Sequence, residues 1–381
     1  MSEVGFPHEI LNLPVRQRVD YFVNYVMSHP ILLQVFEDLM IMLYQAGGPS
    51  LIFLLGPTGA GKTTLLKRLV EKVDEKALEQ MQIDKGYIPI AGFSCASPEF
   101  SQFDWHDFYI RGLKALDDPF IGNDEKRRPT KRLLRSTFED ALKNRHPDAF
   151  YLDEAHNLCK VPTGKKLVDQ TDCLKSISNN AGVRMLLTST YQADILLDLS
   201  DQLCRRSTVL HFPRYRIETS AQKKVFKSLI KNVSLQLPLV ETPDFTQHWD
   251  FIYERCCGCF GTLKDWFSRT LGAVLEKDAN AKTLLITDLE KYALSAKKCL
   301  VIMKAILAGE KKMEENEESL KALRRGLGLP EKSDGSDFKS NEKQNKSTAA
   351  KRKDVGKPTP QSYPVGERQN ENGEPPLDKT A

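Results

Sequence analysis

Apolar residues along the chain switch several times between helical and strand-like spacing. Arg16 to Tyr44 carries two helical patterns broken at His29-Pro30, where proline disfavours continuation of the preceding helix, so two short helices are expected. Leu51-Ile-Phe-Leu-Leu55 is an unbroken apolar run, as in a strand buried on both faces, and Thr64 to Val70 resumes helical spacing. Tyr87 to Phe93 predicts a second strand, with Pro89 favouring an edge position. Helical patterns then cover Phe103–Leu116, Arg132–Lys143, Lys165–Asn180 and Gln192–Leu199. Between and after them, short apolar runs at Asp148–Leu152, Val183–Leu187 and Thr208–Phe212 read as three more strands. Strands separated by helices in this way predict an α/β fold.

From Thr219 the pattern is helical throughout. Thr219 with Gln222 and Thr287 with Glu290 fit capping boxes, while Thr242-Pro243 pairs an N-cap with proline at a first helical position. The expected divisions are N-terminal helices over 1–48, an α/β core over 49–216, a small helical domain over 217–309 and a helical extension over 310–330. Residues 331–381 are rich in Lys, Glu, Asn, Ser, Pro and Gly and are expected to be a disordered tail, unable to bury enough apolar surface to offset chain entropy.

The first strand leads directly into Gly56-Pro57-Thr58-Gly59-Ala60-Gly61-Lys62-Thr63, a full match to G-x-x-x-x-G-K-[ST] in a strand-loop-helix setting. Gly59 and Gly61 allow the backbone to turn and approach a ligand, and the loop N–H groups with the helix start at Thr64 present partial positive charge to phosphate oxygens. Lys62 is placed to reach the β- and γ-phosphates of ATP, and the Thr63 hydroxyl to hold Mg²⁺. The third strand ends in Asp153-Glu154-Ala155-His156. There Asp153 would orient the metal opposite Thr63, and Glu154 would polarise the attacking water. His156 has no partner at metal-ligand spacing and reads as a local hydrogen-bonding or packing residue.

The next strand terminates in Thr188-Ser189-Thr190, where a hydroxyl could meet the γ-phosphate or the lytic water; Thr190 is the first choice and Ser189 the second, with a helix cap as the plain alternative. Adjacent Arg205 and Arg206 could act in trans on a neighbour's ATP or lie idle on the surface. Lys264, near the start of a later helix, is a further candidate to reach the nucleotide. Cys256, Cys257 and Cys259 lack a second ligand pair, which favours packing at a helix end. Lys126, Arg127, Arg128 and Lys131 form the densest basic cluster of the folded part, either a grip on a phosphate backbone or a solvated loop.

Composition narrows the setting. With 381 residues and 40% hydrophobic content the chain is long enough for two ordinary cores. Its net charge of +4 does not by itself argue for nucleic acid, so any basic surface must be local. Eight unevenly spaced cysteines, no signal-like start and no apolar run of membrane length suit a cytoplasmic location without a membrane partner.

In combination, GPTGAGKTTLL, YLDEAH and MLLTST, preceded by helices with a His-Pro and followed by an Arg-bearing segment and a helical region, resemble the AAA+ ATPases, and within them the TnsC/TniB-like ATPases of bacterial transposons. That resemblance covers roughly residues 10 to 300. It implies a P-loop core with a five-stranded parallel sheet, a helical lid, and an ATP- and Mg²⁺-dependent oligomer, ring or helical filament, on double-stranded DNA. Such an oligomer connects a target-selecting protein to the transposase, and hydrolysis drives its disassembly. On this likeness the segment from Arg111 to Lys131 would face DNA. One departure is Gly258-Cys-Phe-Gly261-Thr262-Leu263, where relatives often have Gly-x-x-Gly-Arg-Leu; Lys264 is then a substitute for the missing arginine. Two other readings stand beside it, a DEAH-type helicase, which would need a second RecA-like domain after Phe212, and an ATP-binding scaffold or switch with little turnover.

Overall fold

The central apolar run forms β1 (Leu51–Leu55), and all of its residues are buried. Its side chains alternate between two cores, Leu51, Phe53 and Leu55 in one and Ile52 and Leu54 in the other, as the two-residue period of a strand requires. The computed structural model describes residues 5–98, 103–119, 129–160, 164–199, 201–314 and 317–329. Four further strands, β2 (Ile90–Ser94), β3 (Ala149–Asp153), β4 (Arg184–Ser189) and β5 (Ser207–His211), complete a five-stranded sheet of order β2-β3-β4-β1-β5 in which every pairing is parallel. β2 occupies an edge, directly after Pro89. β4 lies between β1 and β3, so three strand ends converge on one side of the sheet.

In chain order the helices are α1 (Val15–Asn24), α2 (Pro30–Tyr44), α3 (Lys62–Ile83), α4 (Trp105–Ala115), α5 (Lys131–Arg145), α6 (Gly164–Ala181), α7 (Asp201–Arg206), α8 (Ser220–Leu235), α9 (Trp249–Cys256), α10 (Phe260–Lys277), α11 (Ile286–Tyr292), α12 (Ala296–Met313) and α13 (Glu317–Gly326). The break at His29-Pro30 separates two helices that serve different cores. Leu32, Val35, Leu39 and Leu43 of α2 join the sheet core, whereas Phe22 of α1 joins the core of the helical region with Phe226, Trp266 and Phe267. His29 caps α2, its Nδ1 accepting from the Leu32 N–H at 3.2 Å, and Pro30 occupies the first turn.

Three local expectations need correction. Tyr191–Leu199 is a 3-10 helix rather than an α-helix; within it the Asp194 carboxylate takes the Ile195 N–H at 2.8 Å, so side chain competes with helix for a backbone donor. Thr242-Pro243 starts no helix, because Asp244 instead accepts from the Thr246 N–H and hydroxyl and opens the short turn Thr246–His248 ahead of α9. Thr287 lies inside α11, where Asp288 alone caps the start by accepting from the Leu285 N–H at 2.9 Å. The capping box of Thr219 and Gln222 is present at the start of α8. α12 runs through residue 309, the expected domain boundary, while α13 belongs to a separate unit beginning at Glu317. Residues 331–381, expected to be disordered, lie outside the described residues.

Candidate active site

Beyond Leu55 the chain crosses the C-terminal edge of the sheet as the loop Gly56–Gly61 and enters α3 at Lys62. Gly59 (φ +77°) and Gly61 (φ +114°) adopt backbone conformations that residues with a Cβ avoid. At Gly56 the constraint is space, since a Cβ there would lie 2.3 Å from the Phe212 carbonyl oxygen. Pro57 and Ala60 are buried, whereas Thr58 and Thr63 are exposed and Thr64 is half-buried. The first-turn N–H groups of α3, those of Lys62, Thr63 and Thr64, have no acceptor within the helix, which makes the loop a ready anion site. Lys62 Nζ turns back onto the carbonyls of Gly56 and Pro57, each at 2.8 Å, and burial pulls its pKa down to about 8.

The ends of β3 and β4 supply the carboxylates and hydroxyls. Asp153 Oδ2 accepts from the Thr63 hydroxyl at 3.0 Å, and its Oδ1 accepts from the Glu154 N–H at 2.9 Å and from the Thr188 hydroxyl. Three donors on different segments thus fix one carboxylate between loop and sheet. Glu154 has the left-handed backbone (φ +53°), and its Oε2 lies 3.1 Å from His156 Nδ1. Burial lowers the His156 pKa. The hydroxyl oxygens of Ser189 and Thr190 are buried and make no hydrogen bond. Unpartnered buried donors at the mouth of such a loop are what an incoming anion or ordered water would satisfy. Beside Thr63 and Asp153 opens a hollow of about 380 Å³, lined also by Lys67, Ser94 and Tyr151.

The remaining candidates are placed unequally. Lys264 does not face the phosphate loop; its ammonium donates to the carbonyls of Val23, at 2.7 Å, and Tyr25 at the end of α1, and desolvation there lowers its pKa. The residue of α10 that does meet the loop is Thr262, whose N–H donates to the Gly59 carbonyl at 3.2 Å, with Gly261 so close that a Cβ on it would lie 2.6 Å from the same oxygen. The sequence places Thr188 at a strand end and Thr262 near a helix start but shows neither one's partner, because each acts through a contact distant along the chain. Arg205 and Arg206 are both exposed, and Arg206 donates to Asn179 Oδ1 at 2.6 Å. Arg111, on α4, is paired with Asp107 at 2.6 Å, and Lys131 is exposed at the start of α5. Arg135, in the same basic run, turns to Glu139 and Ser176. Lys126, Arg127 and Arg128 lie outside the described residues. Cys256, Cys257 and Cys259 are buried free thiols at the junction of α9 and α10; Cys257 and Cys259 pack with Cys299, and Cys256 packs in the core of the helical region. Among the described residues no helix is long and apolar enough to cross a membrane.

Comparison with known proteins finds a family likeness for part of the chain. Residues 45–197, which hold the phosphate loop, Asp153, Glu154 and Thr188–Thr190, match the family model described as an AAA domain. No curated protein matches the chain. Among solved structures, the chain resembles the ORC2 protein of Aeropyrum pernix in its ADPNP-ADP complexes, at 16% identity over 74% of this chain and 72% of that one, with a TM-score of 0.49. It also resembles a Walker-type ATPase of Pyrococcus abyssi, at 17% identity over 77% and 75% of the two chains, with a TM-score of 0.42. Domain III of the replication initiation protein DnaA of Thermotoga maritima matches at 14% identity over 75% of this chain and 97% of that one, with a TM-score of 0.37. With TM-scores below 0.5, none of the three bears on function. Residues 45–197 are thus similar to an AAA domain, and the five-stranded parallel sheet, which extends past them to β5, carries its loop in a P-loop α/β architecture.

Proposed function

We propose that the chain is an ATP hydrolase that binds ATP with Mg²⁺, assembles on double-stranded DNA, and links target-site selection to the transposase in DNA transposition, with hydrolysis driving disassembly. The observation that carries the nucleotide half is the Thr63–Asp153–Thr188 network at the mouth of a glycine loop, next to the unpartnered hydroxyls of Ser189 and Thr190. Those groups fit a bound Mg²⁺ nucleotide, which would supply an electrophilic γ-phosphorus and a cation to offset developing charge. The loop from Gly56 to Thr64 binds phosphate oxygens through its N–H groups. Lys62 exchanges the carbonyls of Gly56 and Pro57 for those oxygens. Thr63 and Asp153 hold the cation, Glu154 accepts the proton of the attacking water, and Thr190, with Ser189 beside it, donates to the transferred group or the water.

Of the two arginines, exposed Arg205 is the better placed to serve a neighbouring subunit, because Arg206 is engaged by Asn179. The DNA and transposition half rests on the sequence resemblance and on the basic segment Arg111, Lys126, Arg127, Arg128 and Lys131. Lys264 is not retained as a phosphate contact, given its bonds to α1. A helicase is disfavoured because the described residues after Phe212 form helices and no strand. Gel shifts on duplex DNA, with particle imaging, in ATP, a non-hydrolysable analogue and ADP test the proposal. Binding and assembly are expected with ATP and the analogue and release with ADP. DNA binding that ignores the nucleotide, or is absent, contradicts it, and strand unwinding would favour the helicase.

A further inference from the structure

We infer that His156 is a positioning residue for Glu154, an imidazole that aims the carboxylate at the attacking water without itself touching substrate. This rests on the ATPase reading above and adds a residue to it. Glu154 sits where β3 ends, in the left-handed region of backbone space, so neither a helix nor a strand dictates the direction of its side chain. Half of that side chain is exposed; the Lys62 ammonium acts on it through charge, and His156 Nδ1 lies 3.1 Å from Oε2. A carboxylate in that setting would sample several rotamers if nothing held it.

His156 is equipped to hold it. The ring stands on the 3-10 turn Ala155–Cys159, whose Ala155 and Leu158 are fully buried in the sheet core. The same turn is fastened to the end of β2, where the Asn157 amide donates to the Cys95 carbonyl at 2.9 Å, both groups being buried. One turn further, the Lys160 ammonium donates to the Ser97 hydroxyl at 2.7 Å. The imidazole is therefore carried by a rigid support, as a group that orients another must be. Nδ1 itself is buried, makes no hydrogen bond and faces the Glu154 carboxylate. Rotation of the half-exposed Glu154 side chain would bring the pair into hydrogen-bond alignment, with the neutral ring donating through the Nδ1–H tautomer. Packing alone would be served by any ring and gives no reason for a nitrogen aimed at the catalytic carboxylate.

The test is steady-state ATP turnover by the full chain at saturating duplex DNA. His156→Phe keeps the ring volume and removes the donor, while His156→Asn keeps a donor near the Nδ1 position. His156→Phe and His156→Ala should each lower kcat about tenfold with KM within about twofold of wild type, since aim is lost and binding is not. His156→Asn should recover most of the rate. In a Glu154→Gln background His156→Phe should cost nothing further, because the group it positions is already disabled. Wild-type kcat in His156→Phe overturns the inference and leaves the ATPase reading intact. Equal losses in His156→Phe and His156→Asn, or a loss that persists in Glu154→Gln, also overturn it. A wild-type chain that binds no ATP or fails to hydrolyse it overturns both.

Discussion

At Lys62 burial and charge oppose one another. The ammonium is held by two loop carbonyls, yet its pKa is drawn down from 10.5 to about 8 by desolvation. Because the unfolded lysine keeps its proton to higher pH than the folded one, folding is opposed at neutral pH and relieved as pH rises from about 8 towards 10.5. Lys62→Met should therefore raise the melting temperature of the nucleotide-free chain by a few degrees at pH 7 while abolishing nucleotide binding, read by thermal denaturation and by fluorescent-nucleotide titration. A fall in melting temperature would mean that the two carbonyl bonds outweigh desolvation. Lys62, Thr63 and Asp153 are legible in the sequence because their roles follow from local motifs. Thr188, Thr262 and the true partners of Lys264 are not, since Asp153 meets Thr188 and Lys264 meets Val23 only through the fold. A lysine on an amphipathic helix carries no sign of which distant carbonyls it will cap.

Among the elements, the junction of the N-terminal helices with the helical region is built on His29. Its Nδ1 takes the Leu32 N–H and lies 2.8 Å from the Tyr215 hydroxyl, and its ring is 4.5 Å from that of Phe260, centre to centre. With Nδ1 accepting from both, a proton there would break the arrangement, and burial draws the His29 pKa to about 4. The folded state binds this proton less readily than the unfolded state, so stability is lost as pH falls from 6.5 towards 4, by on the order of 3 kcal/mol. His29→Asn keeps an N-cap without that titration. Urea unfolding at pH 7, 5 and 4 should show the variant less stable at pH 7 and the gap closing in acid; a constant gap would contradict the assignment.

A second junction joins the segment after β5 to α12. Arg214 donates to Glu310 with both side chains buried, and Tyr253 takes a further Arg214 bond at 2.6 Å. Glu310→Ala strands the guanidinium and should cost about 3 to 5 kcal/mol in urea unfolding, whereas a loss below about 1 kcal/mol would show that water reaches Arg214. The strands and most helices are legible from period and caps alone. The three corrected elements all turn on an aspartate, Asp194, Asp244 or Asp288, taking a backbone donor that the pattern of apolar residues does not register.

For the whole molecule, the order of the strands matters more than their number. Placing β4 between β1 and β3 brings the Thr188–Thr190 segment between the phosphate loop and Asp153, and it makes one site out of residues more than 130 positions apart. The alternation of strands and helices makes the α/β class readable in the sequence, but not the order in which the strands lie. The basic run at Lys126–Arg128 is readable only as charge, and the contact of Thr262 with the loop depends on how α10 meets the core. The most direct test of the nucleotide site is phosphate release and equilibrium ATP binding measured together on wild type and Glu154→Gln. Wild type is expected to bind and turn over ATP. Glu154→Gln should bind it within a few-fold of wild type but release phosphate about a hundredfold more slowly, as loss of a general base alone requires. Wild-type turnover in Glu154→Gln, or no ATP binding by wild type, would contradict it.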